Sequence, residues 1–105
     1  MQRDRALNHL KAIRREVSQL TVRESSWGAL EPDDRIGYRA EWDNTLDRFS
    51  AVVQAYGDQR LDQDIATQLI DVARILADFT PSLVRMQLRQ PSADDLRRLG
   101  ILSAA

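Results

Sequence analysis

Catalysis and metal binding need groups that titrate, coordinate or attack, and this chain offers few of them. His9 is the only histidine, and histidine is the one side chain whose ordinary pKa lies near neutrality. The absence of cysteine excludes a thiolate nucleophile, a disulfide and any Cys-ligated zinc or iron–sulfur site. A single histidine likewise excludes a multi-histidine metal site within one chain. Carboxylates are abundant, with twelve Asp and four Glu, but their spacing is uninformative. Asp58, Asp62 and Asp64 invite a calcium reading. An EF-hand loop counted from Asp62 needs an oxygen ligand at its fifth position and a bidentate Glu at its twelfth, where the sequence has Ala66 and Ala73. Helix capping and the helix dipole explain these acids. Glu41 with Asp43, and Asp33 with Asp34, stand at i+2 and i+1 and do not face each other on a helix, so they cannot flank one bond. The chain has no Gly-rich phosphate loop, no G-x-S-x-G elbow and no H-E-x-x-H. No metal, cofactor or small-molecule substrate is expected, and the sequence reads as non-enzymatic.

Whatever these side chains do, helices must position them. The 105 residues, 43% apolar and 30% charged, make one domain burying roughly 65% of its unfolded surface. The four Gly and three Pro fall mostly where helices should begin or end. The spacing predicts an all-α fold, a small bundle of three long helices (4–22, 32–56 and 62–79) and two short C-terminal ones (81–90 and 92–99). In the first helix Ala6, Leu10, Ile13, Val17 and Leu20 share a stripe roughly 80° wide. Lys11, Arg14, Arg15 and Ser18 form a polar ridge opposite, and His9 borders the stripe. Arg3 and His9 stand at R-x5-H spacing, which resembles the short motif of HEPN-type helical ribonucleases. Over those seven residues the resemblance implies an arginine and a histidine acting on a scissile phosphate. The helical wheel instead assigns His9 an ordinary packing role at the stripe's boundary, and this is the preferred reading.

Residues 24–30 break the helical period and read as a loop anchored by Trp27. Pro32 followed by Asp33 and Asp34 is a helix start. Tyr38, Trp42, Leu46, Phe49, Val53 and Tyr56 then share one face, so the aromatic stripe is core rather than a base-stacking platform. Gly57 is expected to supply the left-handed residue that ends this helix. The third helix carries a core face of Ile65, Leu69, Val72, Leu76 and Phe79. Its apolar arc is widened by Ala66, Ile70, Ala73 and Ala77 on one side and Ile75 on the other, to roughly 220°. In the fourth, Leu83, Val84, Met86 and Leu88 point all round the axis. Ser92 and Asp95 stand at capping-box spacing at the start of the last helix. Gly100 ends it, and the ILSAA tail carries two exposed-looking apolar residues, Ile101 and Leu102.

A formal net charge of −1 conceals a segregation. Residues 1–23 carry +4, residues 24–80 carry −7 and residues 81–105 carry +2. Either the basic ends pack against the acidic middle of their own chain, or they bind something else. Lys11, Arg14, Arg15, Arg85, Arg89, Arg97 and Arg98 are the candidate patch for a phosphate backbone or an acidic partner. A pI near 5.8 lies far below the basic range of nucleic-acid modules.

The expectation is a non-catalytic helical protein-interaction module. It would self-associate as a homo-oligomer or serve as a small subunit of a larger assembly, through Ile70, Ala77, Val84, Met86 and Leu88. The alternative is a nucleic-acid-associated accessory subunit using the basic patch. No apolar run exceeds three residues, so no membrane span or secretory leader is expected and the location reads as cytoplasmic. Fourteen Arg against one Lys reads as GC-rich bacterial codon usage.

Overall fold

The apolar stripe read from the N-terminal residues becomes the surface on which the other helices pack. The computed structural model describes residues 1–102. Helix α1 (Arg3–Ser18) buries Ala6, Leu10, Ile13 and Val17. At Gln19 the helix is interrupted, and α2 (Leu20–Ser26) resumes with Leu20 fully buried. The stripe therefore continues through the break. Residues 24–30 are not the expected loop, because α2 extends to Ser26 and a single 3-10 turn spans Trp27–Ala29. The Ser25 and Ser26 hydroxyls bond back to the Val22 carbonyl, so each is satisfied within the helix rather than by redirecting the chain. Trp27 is the expected anchor, its ring edge-on to that of Tyr38 at 5.8 Å.

Helix α3 (Pro32–Gly57) starts with proline in its first turn and Asp33 and Asp34 beside it. It buries Tyr38, Trp42, Leu46, Phe49 and Val53, with Tyr56 half-buried. Helix α4 (Gln63–Asp78) buries Ile65, Ala66, Leu69, Val72, Ala73 and Leu76. Two one-turn helices follow, α5 (Thr80–Arg85) and α6 (Ala93–Arg98), the latter capped by the Ser92 hydroxyl, which accepts from the Asp95 amide. Ser103–Ala105 of the ILSAA tail lie outside the described residues.

Three of these helices end in the same way. After α3, the Arg60 amide donates to the Ala55 carbonyl and the Gln59 amide to Tyr56. After α5, Leu88 donates to Leu83 and Gln87 to Val84, and after α6, Ile101 donates to Leu96 and Gly100 to Arg97. This is the Schellman pattern, which needs one residue at positive φ. Gly100 takes that place at φ 75°, but the other two are Gln59 at 58° and Gln87 at 56°. The expected helix-ending role of Gly57 thus passes to Gln59. A side chain in this region costs about 1–2 kcal/mol, partly offset by the larger unfolded-state entropy of glycine. Gln87→Gly should therefore stabilise the chain by about 0.5–1 kcal/mol, read as a raised midpoint in urea.

The Schellman turn after α5 also explains why the expected helix 81–90 stops at Arg85. It reverses the chain so that Leu88 lands beside Leu83, and the segment then crosses α3, where the Trp42 indole donates to the Arg89 carbonyl at 2.7 Å. Leu83, Met86, Leu88, Leu96 and Leu99 close the core from this side. Helices α1 and α4 run parallel. Arg3 at the start of α1 meets Asp62 and Asp64 at the start of α4, and Arg14 and Val17 line a notch with Val72 and Ile75 near their ends. Helix α3 runs antiparallel to α1, bringing Arg48 to His9. The result is an all-α bundle in the form of a slab, 43 × 34 × 17 Å.

Candidate interaction surface

Arg3 and His9 do not assemble the pair that their spacing suggests. Six residues apart, they lie about 120° apart around α1. Arg3 turns toward α4 and binds Asp62 at 2.9 Å and Asp64 at 2.9 and 2.6 Å. His9 faces α3, where an Arg48 guanidinium nitrogen lies 3.2 Å from its Nδ1. Arginine only donates, so Nδ1 accepts and the ring proton of the neutral form sits on Nε2. Partial burial, then the positive charges of Arg48 and Arg5, hold the His9 pKa below its usual value.

Because the folded state prefers neutral His9, the unfolded state binds more protons as pH falls through 6.5 toward the folded pKa. This contribution to stability is therefore full above that range and lost on acidification. The single His9 Cε1–H resonance should titrate below pH 6.5, and Arg48→Gln should move its midpoint up. An unchanged midpoint would remove Arg48 from the cause.

The α1–α3 seam also holds three buried polar atoms without a hydrogen-bond partner in the structure: His9 Nε2, Glu16 Oε2 and the Tyr38 hydroxyl. Burial, then the negative charge of Glu16, pushes the Tyr38 phenol up to about 12. Arg23 lies 4.7 Å over the Tyr38 ring. The arrangement keeps Tyr38 protonated at neutral pH.

The basic ends engage the acidic middle at three places. Arg3 binds Asp62 and Asp64, Arg85 binds Glu24, and Arg89 binds Asp47. The Ser82 hydroxyl and then the Arg85 guanidinium hold Glu24 below the usual carboxylate range. Arg97 pairs locally with Asp94. Of the seven residues proposed as a patch, Arg85, Arg89 and Arg97 are thus taken by carboxylates of their own chain. Lys11, Arg14, Arg15 and Arg98 are exposed and make no ion pair among the described residues. In the sequence Arg3 stands out only through its spacing from His9. Its +4 block facing the −7 block was the available signal for the pairing.

The apolar partner residues divide. Met86 and Leu88 are 1% and 5% exposed, a correction to the expected partner face. The turn after α5 tucks both side chains into the core and leaves neither for another molecule. Ile70 and Ala77 are half-buried against the core. Val84 is 54% exposed, and Val22 on α2 and Ile75 on α4 are 68% and 37% exposed. Ile75 lies on the rim of the α1–α4 notch.

Among the described residues no group of three or more His, Cys, Asp or Glu is placed to hold a metal ion, and no helix is long and apolar enough to cross a membrane. The chain matches no protein-family model, no curated protein and no solved structure.

Proposed function

We propose that this chain is a non-catalytic helical interaction module that self-associates, either alone or as a small subunit of a larger cytoplasmic assembly in a bacterial-type cell. The observation that carries this reading is where the charge goes. Arg3, Arg85 and Arg89 are bound to carboxylates of the acidic middle, and with Arg97 held by Asp94 three of the seven patch residues are committed within the chain, which weakens the patch as a site for an external polyanion. Val22, Ile75 and Val84 are also exposed apolar side chains, area that a partner would remove from water. Light scattering across a concentration series should show a mass that rises above 12.0 kDa. A constant monomer mass would contradict the reading.

A second reading, a nucleic-acid-associated accessory subunit, is favoured by one observation: Lys11, Arg14 and Arg15 lie together on the exposed ridge of α1 without ion-pair partners among the described residues. It requires salt-dependent binding to an oligonucleotide, and absence of binding at low salt rules it out.

A further inference from the structure

We infer that the outer face of the α1–α4 pair is a twofold interface between two copies of this chain, with α1 of each copy lying over α4 of the other. The inference rests on the self-association proposed above and names the surface that performs it.

Two ridges of opposite sign flank the notch between these helices. On α1 the ridge is Lys11, Arg14 and Arg15, all exposed. On α4, Asp64, Asp71 and Asp78 recur every seven residues along one exposed line, as side chains two turns apart do. Asp64 is held by Arg3. Asp71 and Asp78, like the three cations, make no ion pair among the described residues. The ridges border a small apolar notch lined by Arg14, Val17, Val72 and Ile75. Asp4 near the start of α1 and Arg74 on α4 are the exceptions to the two signs, and they confine the complementary zone to residues 11–18 and 71–78.

Parallel helices fix the symmetry. Because α1 and α4 run the same way, a twofold axis along the notch sets α1 of one copy on α4 of the other at matching levels. Lys11 and Arg15 then meet the line of Asp71 and Asp78 twice, once on each side of the axis, with the two Ile75 side chains near it. A twofold axis across the helices would instead set α1 on α1 and repeat like charge. The interface is therefore isologous and self-complementary in only one of the two orientations. Each helix has 16 residues, about 24 Å, so the face offers about 500 Å² per copy, below the ~800 Å² of a standard interface. The contact is accordingly weak and sensitive to salt.

The test uses two charge-reversed chains: Lys11→Glu with Arg15→Glu, and Asp71→Lys with Asp78→Lys. Either alone makes both halves of the interface like-charged, and its self-association should weaken at least about tenfold. Mixed, the two chains become complementary on both sides of the axis, and association should return in the mixture only. If both reversed chains self-associate like the wild type, this face is wrong while the self-association reading stands. If the wild type itself stays monomeric, both fail, and an α1 ridge whose reversal abolishes oligonucleotide binding would replace them with the nucleic-acid reading. Circular dichroism verifies that the reversed chains are folded. Should either not be, the neutral pair Lys11→Gln and Arg15→Gln must still weaken association, and no change there overturns the interface.

Discussion

Replacing Trp42 by alanine is expected to cost about 3–5 kcal/mol, a large part of the 5–15 kcal/mol typical of a domain's stability. The indole is fully buried and does two separate things. Its rings fill the face of α3 that packs with Leu46 and Phe49 in the core. Its Nε1–H donates to the Arg89 carbonyl at 2.7 Å, fastening the C-terminal segment across α3. Trp42→Phe separates the two. It keeps most of the apolar volume but leaves the Arg89 carbonyl without its donor, so a loss of about 1–3 kcal/mol is expected. With about 4 °C of melting temperature per kcal/mol, the phenylalanine variant should melt several degrees below the wild type. The alanine variant should melt about 12–20 °C below the wild type. If both variants melt within a degree or two of the wild type, the C-terminal segment is not held as described.

Met86→Asp and Val84→Asp should give opposite results although they stand two residues apart. Met86 is almost wholly buried among Leu83, Leu88 and the rest of the core cluster. A carboxylate there loses its hydration and gains no partner, a penalty of several kcal/mol that is only partly relieved by protonation. The expected outcome is a chain without a cooperative unfolding transition at neutral pH. Val84 points outward, and its aspartate variant should match the wild-type stability to within about 0.5 kcal/mol. Urea titrations of both check this directly. Equal losses at the two sites would mean that residues 81–90 form the helix with apolar residues on all sides that the sequence suggests, packed differently from the structure.

These two substitutions also show where sequence reading succeeds and where it stops. Trp42 was assigned to the core because residues 38, 42, 46, 49 and 53 repeat at the period of a helix, and a 26-residue helix gives that period room to declare itself. The stripe of α1 was legible for the same reason, as were the capping role of Ser92 and the proline start of α3, which depend on neighbours within a turn. Met86 and Leu88 were misassigned because α5 is only one turn of regular helix. Its end is set by Gln87 at positive φ, a conformation that a glutamine does not advertise. The broken apolar period at residues 24–30 reads as a loop, yet a helix needs no apolar face to continue, and α2 runs through Ser25 and Ser26 to its end. The candidate surface was partly legible. The charge blocks were in the sequence, but which cation meets which carboxylate depends on how the helices pack, as Arg3 reaches Asp62 and Asp64 only because α1 lies parallel to α4. Spacing along one helix cannot carry that information.

Sedimentation equilibrium of the wild-type chain, from about 10 μM to 1 mM at low salt and again near 0.5 M, addresses self-association most directly. The proposal predicts a mass rising from one chain toward two with concentration at low salt. At high salt, where charges are screened beyond a few ångströms, the rise should shift to higher concentration. A single 12.0 kDa species throughout the low-salt series would contradict it.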